Sequence, residues 1–289
     1  MTGGGSDDGA GRMSGRIAFQ GELGAYSHEA CREARPDLSP LPCKTFEDAF
    51  EAVRSGEADL AMIAVENSTY GRVADVHSLL PHSGLHIVAE AFVRVHINVM
   101  GVPGATLADL RRVRGMSILL GQCRDFLAAH GLERLAWSDN AAGAAEVARL
   151  GDPAEGALAS ELAAEIHGLD VLARRIEDQD TNTTRFLVMA PQADLSRRGD
   201  HGMVTSFVFR VRNIPAALYK ALGGFATNGI NMTKLESYMV GGSFSATQFY
   251  ADVEGHPDDP GLALALDELG YFTDMLEILG VYPADPRRH

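Results

Sequence analysis

The 289-residue sequence is poor in cysteine, has no basic block and no long apolar run, and each shortage closes off a class of function. Its three cysteines, Cys31, Cys43 and Cys123, are odd in number, widely spaced and never in a CxxC pair. That argues for reduced thiols in a cytoplasmic protein and against a disulfide framework. Nowhere do eighteen apolar residues run together, so no membrane-spanning helix is expected. Residues 1–15, with Gly3-Gly4-Gly5 and Asp7-Asp8-Gly9, lack the apolar stretch of a signal peptide and read as a disordered tail. The formal charge of −14 comes without the basic patch that phosphate backbones need, which excludes a nucleic-acid partner. An anionic ligand must then be held by local cations and backbone amides. His77, His82 and His86 do not suggest a metal site: Pro81, Ser83 and Gly84 break any common helical face, and no carboxylate or cysteine cluster completes the set. No metal or organic cofactor is expected.

What is present is a folded chain, 46% apolar and 22% charged, long enough for two or three cores. Ile17-Ala18-Phe19, then Gly21 and Gly24, predicts a strand, a glycine loop and a helix opening with Ser27 as its N-cap. Thr45 three residues before Asp48 predicts a capping box, with Phe46, Ala49, Phe50 and Val53 on one helical face. The uninterrupted apolar run 60–65 predicts a strand buried on both faces of a mainly parallel sheet. Its carboxyl end delivers Glu66, Asn67 and Ser68, where open α/β sheets place their sites. Strands at 87–89 and 95–102, the second crossing to another lobe, precede helices at 107–113, 126–131 and 141–150. A strand at 157–160 and a helix at 161–167 continue the α/β alternation. Then comes Asn182-Thr183-Thr184-Arg185-Phe186, which pairs a hydroxyl with a guanidinium able to clamp a carboxylate in bidentate fashion and so suits a small organic acid. Residues 191–202 read as a linker. Beyond it, a strand at 206–211, a helix at 216–228, strands at 231–238 and 244–253 around Gly241-Gly242, a helix at 260–269 and a strand at 275–281 spell β-α-β-β-α-β, the ferredoxin-like plan.

With those segments in place, the sequence resembles the bacterial prephenate dehydratases that carry a C-terminal ACT domain, from about Arg16 to Tyr282. Seven stretches match in order: QGELGAYSHEAC at 20–31, VENSTYGRVADVHSLLP at 65–81, GQCRDFL at 121–127, AAEIHGLDVLA at 163–173, NTTRF at 182–186, NIPAALYKAL at 213–222 and NMTKLESYMVGGSFSATQFYADVEGH at 231–256. The resemblance implies a catalytic domain over 16–190, built of two α/β lobes like a periplasmic binding protein with the site between them, and an ACT regulatory domain over 203–282. It implies a cytoplasmic lyase that converts prephenate to phenylpyruvate, with L-phenylalanine as effector and a homodimer or homotetramer as the assembly. Carried over by position, Thr184, Glu66, Asn67, Ser68 and Gln122 are the catalytic set, with Thr184 nearest the departing hydroxyl and Glu66 or a water completing proton delivery. Arg185, Thr183, Asn182 and Ser27 are the substrate-binding set, and Ala216, Ala217, Leu218, Asn231, Glu236 and Ser237 the phenylalanine-sensing set.

The chain departs from the family pattern in four places. Gly115-Met116-Ser117-Ile118-Leu119-Leu120 stands where the family usually reads SHPxAL, and Ala141 stands where a DTAG-like stretch has threonine. In the sensor, Pro215-Ala216-Ala217-Leu218 and Glu236-Ser237-Tyr238-Met239 replace PGAL-like and ESRP-like segments. These departures keep open an arogenate dehydratase, or an organic-acid or amino-acid binding protein of the same fold with weakened catalysis. A Ser-His hydrolase using Ser27 and His28 or Ser68 and His77 lacks a nucleophile-elbow sequence.

Overall fold

The structure is a computed structural model that describes residues 15–212, 214–239 and 246–288. In chain order the first lobe contributes β1 (Arg16–Gln20), α1 (Tyr26–Ala34), β2 (Ser39–Cys43), α2 (Phe46–Arg54), β3 (Leu60–Asn67), the short β4 (Gly71–Arg72), α3 (Ala74–Leu79) and β5 (His86–Arg94). The chain then crosses to a second lobe: β6 (Asn98–Gly101), β7 (Arg112–Gly115), α4 (Ser117–Gln122), α5 (Arg124–Ala129), β8 (Glu133–Ala136), α6 (Asn140–Leu150), β9 (Glu155–Ala159), α7 (Glu161–His167) and β10 (Asp170–Ala173). It returns to the first lobe as β11 (Thr183–Ala190). The two crossings bond to each other, Val95 N–H to Asn182 C=O at 2.9 Å and Ile176 N–H to Ile97 C=O at 2.9 Å. Two lobes joined by a double hinge define the periplasmic-binding-protein-like arrangement.

The elements form for the reasons their residues supply. The capping box at α2 is complete, Asp48 N–H donating to Thr45 Oγ1 and Thr45 N–H to the Asp48 carboxylate. Helix α2 buries Ala49, Phe50, Ala52 and Val53. Strand β3 lies in mid-sheet, parallel to β1 but antiparallel to β11, and β11 is antiparallel to β5. The sheet is therefore mixed, because the chain re-enters the first lobe from the far side of the hinge. The helix expected at 107–113 is not formed: Arg112–Gly115 is strand β7. The alternation Arg112-Val113-Arg114 puts both guanidinium groups on the buried Glu155 carboxylate and Val113 into the core, which is a strand's period of two. The N-cap of helix α1 is Ala25, two residues before the expected Ser27, which lies inside the first turn.

The C-terminal elements are β12 (Met203–Val211), α8 (Ala217–Thr227), β13 (Met232–Met239), β14 (Ala246–Glu254), α9 (Pro260–Phe272) and β15 (Thr273–Pro283), with strand order β13-β14-β12-β15. This is the β-α-β-β-α-β plan. Gly241, Gly242 and Phe244 lie outside the described residues, as does Asn213. One sheet face packs Phe207, Phe209 and Phe249 beneath α8 and α9, against Phe225 of α8. The opposite face, with Val204, Val208, Tyr250 and Tyr282, shares one apolar cluster with Phe50, Ile63, Leu80 and Leu187 of the first lobe. Strand β15 also pairs with β5 at Gly280 and Ile87, joining the two into a single ten-stranded sheet. A Cβ at residue 280 would stand 2.2 Å from the Ile87 carbonyl oxygen, so only glycine permits this junction.

Candidate active site

The site grows from one cross-strand pair. In the β3–β11 ladder Thr184 lies opposite Asn67, and the next pair is Arg185 opposite Glu66. Successive strand residues point to opposite faces, so the two pairs serve different sides of the sheet. Thr184 and Asn67 face the inter-lobe side, 7% and 4% exposed. Asn67 Nδ2 donates to Thr184 Oγ1 at 2.9 Å and to Asn182 Oδ1 at 2.7 Å. Its Oδ1 accepts from the N–H of Thr69 at 2.9 Å. Asn182 Nδ2 in turn donates to Gln122 Oε1 at 2.9 Å, tying α4 of the second lobe to the first. Thr184 thus accepts a bond from Asn67 and, among the described residues, donates none; its proton is available to a ligand. Gln122 Nε2 is buried without a partner.

Thr184 opens onto a cleft of about 230 Å³ lined from both lobes. The first lobe presents Gln20, Tyr26, Ser27, Phe46 and Tyr70, and the second presents Met116, Ile118, Leu119 and Asn140. Among the described residues, no lysine or arginine lines the cleft. Anion-binding capacity comes instead from α1, whose first turn opens at the cleft with no side-chain cap, leaving N–H groups at the positive end of the helix dipole. Because Ala25 is the N-cap, the Ser27 hydroxyl is not committed to capping. Asp139 and Ser160, both at the cleft, cap α6 and α7 through the N–H groups of Ala142 and Ala163.

The remaining expected residues fall elsewhere. The Arg185 guanidinium lies on the opposite face, 3% exposed, bonded to Glu90, Asp252, Glu66 and the Tyr282 hydroxyl. It does not reach the cleft. Glu66 shares that face, bonded to Arg185 and Lys234. Burial opposes ionisation of Glu66, but the charges of Arg185 and Lys234 outweigh it and hold the carboxyl below its ordinary range, so it is a poor proton donor even apart from its direction. Ser68 Oγ donates to Thr181 C=O at 2.6 Å and accepts from Thr183 N–H at 2.9 Å; both residues zip the strand ends together and neither lines the cleft. Gln122 borders a second cavity of about 130 Å³ with Thr69 and Asn182. Ser117 is exposed on α4, and Ala141 is buried in the small-residue core with Ala144 and Ala157, so the two altered stretches give the cleft Met116, Ile118 and Asn140. In the C-terminal domain Asn231 and Glu236 line a cavity of about 590 Å³ beside Lys234 and Arg288, whereas Ala216, Ala217 and Leu218 start α8 and Ser237 is exposed on β13. The sequence reading missed Gln20, Tyr26, Tyr70 and Asn140; for Asn140, its place beside the cap at Asp139 was the available signal.

Comparison with known proteins defines the class. The family model described as prephenate dehydratase matches residues 17–194, and the chain belongs to that family of carbon–oxygen lyases. It is 52% identical over 272 residues to a bifunctional N-acyl-homoserine lactone acylase/prephenate dehydratase of Komagataeibacter europaeus, covering 94% of this chain and 97% of the relative. It is 38% identical over 284 residues to the chloroplastic arogenate dehydratase/prephenate dehydratase 1 of Arabidopsis thaliana, covering 93% and 72%. The structure of an Arthrobacter aurescens prephenate dehydratase in complex with L-Phe superposes with a TM-score of 0.83 at 30% identity, covering 93% of this chain and 90% of that one.

Proposed function

We propose that the chain converts prephenate to phenylpyruvate, carbon dioxide and water in the inter-lobe cleft. The observation that carries this reading is the Thr184 hydroxyl, held by Asn67 at 2.9 Å with its own proton free. Loss of carbon dioxide from the ring releases an electron pair that aromatises the ring and expels the hydroxyl across it. The expelled oxygen takes one proton and leaves as water. Hydroxide leaves poorly unless a donor reaches it. Thr184 donates to that oxygen, and the Asn67 bond to Oγ1 both fixes its rotamer and strengthens it as a donor. With Glu66 on the far face, water supplies the net proton through Thr184. The α1 amides and Ser27 hold one carboxylate. The ring carboxylate lies against the uncharged wall of Phe186, Met116 and Ile118, where desolvation favours its departure as carbon dioxide.

Thr184→Ala is expected to lower kcat on prephenate by about 10²–10³-fold, the usual effect of removing one transition-state donor, with KM little changed. Phenylpyruvate absorbance measures it, and an unchanged kcat removes Thr184 from the mechanism. Arogenate is the second reading, supported by Asp139, a carboxylate at the cleft placed to receive an ammonium that prephenate lacks. Turnover of each acid, followed as phenylpyruvate from prephenate and as phenylalanine from arogenate, decides between them. N-Acyl-homoserine lactone cleavage, suggested by the Komagataeibacter relative, is the weaker reading, because Thr184 has no base within hydrogen-bond reach among the described residues. From the likeness to the Arthrobacter prephenate dehydratase in complex with L-Phe we infer L-phenylalanine as effector at the C-terminal domain, and we place the protein in the cytoplasm on its few, unpaired cysteines. We also infer a homodimer made through that domain, which exposes Tyr219, Leu264 and Tyr271. No helix among the described residues is long and apolar enough to cross a membrane.

A further inference from the structure

The face of the β3–β11 ladder turned away from the cleft carries a charge network that the reaction above does not use. Arg185 Nη1 donates to Asp252 at 2.6 Å and to Glu66 at 3.0 Å, Nε to Glu90 at 2.8 Å, and Nη2 to the Tyr282 hydroxyl at 3.0 Å. Asp252 on β14 is fully buried and also accepts from Ser206 Oγ at 2.5 Å, while Ser206 and Tyr282 share a bond of 2.7 Å. Arg288 bonds Glu90 at 2.5 Å, and Lys234 bonds Glu66. Three cations thus meet three carboxylates, with Lys234, Asp252 and Arg288 following the first two lobes in sequence and Glu66, Glu90 and Arg185 within the first. Burial disfavours the charge on Asp252, but Arg185 together with the Ser206 and Tyr250 hydroxyls holds its carboxyl below the ordinary range.

Burying so many charges is costly, and a hydrophobic junction of the same shape would hold two domains at least as firmly. A second observation gives the network a task. The β3–β11 register shifts between Arg185 and Phe186: Arg185 lies opposite Glu66, but Phe186 lies opposite Ala64. This is a bulge, a device that re-aims neighbouring side chains beside active sites. It falls one residue from Thr184 and one pair from Asn67.

We propose that Arg185 is a positioning residue: anchored by Asp252 and Tyr282 of the C-terminal domain, it pins the bulged register that aims Thr184 into the cleft and keeps Asn67 bonded behind it, so that the C-terminal domain sets turnover through the strand and never touches substrate. The kinetic form of the inference rests on the dehydratase reading given above. A ligand that shifts β13 or β14 then alters kcat through one peptide bond, from Arg185 to Thr184.

The test uses the full chain with three substitutions. Arg185→Lys keeps the charge but loses the planar fork, Asp252→Asn acts from the other domain, and Tyr282→Phe keeps the packing and removes one hydroxyl. For each, kcat and KM on prephenate and arogenate are measured, together with amide hydrogen exchange over residues 64–68 and 182–186. The expected result is a fall in kcat of about 10- to 100-fold, the cost of a small misplacement of reacting groups, with KM within about twofold and faster exchange in both segments. Tyr282→Phe, the mildest change, decides the matter if the others do not fold. Wild-type kcat and exchange in a folded Tyr282→Phe and Asp252→Asn overturn the proposal, as does a raised KM with unchanged kcat in Arg185→Lys, the signature of direct substrate binding. If the wild-type protein turns over neither acid, the dehydratase reading falls, and exchange alone judges the positioning role: faster exchange supports it and unchanged exchange ends it.

Discussion

At the scale of single residues, the chain places chemistry by strand parity. Thr184 and Arg185 are neighbours in sequence but serve opposite faces, as do Asn67 and Glu66. The pairing of hydroxyl and guanidinium was visible in the sequence, and so was the strand behind it, yet treating Thr184 and Arg185 as one hook ignored the period of two that a strand imposes. Applied to 184–189 and 60–67, that period alone would have sent Arg185 and Glu66 away from Thr184. The sequence could not show what receives them, because Asp252 and Tyr282 lie some 70 to 100 positions away. Ala216 makes a second residue-scale point. It takes φ 62°, the left-handed conformation that favours glycine, at the position where the resemblance expects one. Ala216→Gly should therefore raise stability by about 0.5–1 kcal/mol, the relief of left-handed strain less the entropy glycine adds to the unfolded chain; a denaturation midpoint measures it.

At the scale of elements, close approaches and helix ends govern how the parts meet. Gly280 allows β15 to lie against β5. Gly280→Ala should cost about 2–4 kcal/mol, in the range of severe core overpacking, seen as a lowered urea midpoint. The lobes meet where α1 faces the start of α7. There burial, then the neighbouring Glu33, pushes the Glu29 carboxyl up to about 7. Glu161 and Arg32 stand in the same region. The folded state holds this proton more tightly than the unfolded one, so stability declines as pH rises from about 4.5 to about 7 and then levels. Glu29→Gln should leave stability unchanged near pH 4 and raise it by up to about 2–3 kcal/mol at pH 8, checked by urea midpoints at the two values. Helices with strong caps, such as α2, were readable from sequence, whereas β7 was not, since Arg112 and Arg114 look like a solvated helix turn until Glu155 is placed beside both.

At the scale of the whole molecule, two lobes enclose a cleft that no lysine or arginine lines among the described residues, and a ferredoxin-like domain is fused to the back of the sheet that carries Thr184. The crossing and the C-terminal β-α-β-β-α-β order were legible in the sequence, because apolar runs and glycine stops are local signals, whereas the two-lobed plan came from the family resemblance. The continuous ten-stranded sheet and the shared apolar cluster were not legible, because they depend on pairings between distant strands such as β5 and β15. On the proposed reading, a chain of charge −14 holds a dianion there with helix amides and hydroxyls, and Asp139 is the one carboxylate among the described residues that line the cleft. The central claim is that the Thr184 hydroxyl, held by Asn67, releases the hydroxyl of prephenate. Its most direct test is single-turnover formation of phenylpyruvate by the wild-type chain and by Thr184→Ser and Thr184→Val. The account predicts that serine retains most of the rate and that valine, of nearly the same shape, loses at least about 100-fold. Equal rates for threonine and valine would contradict it.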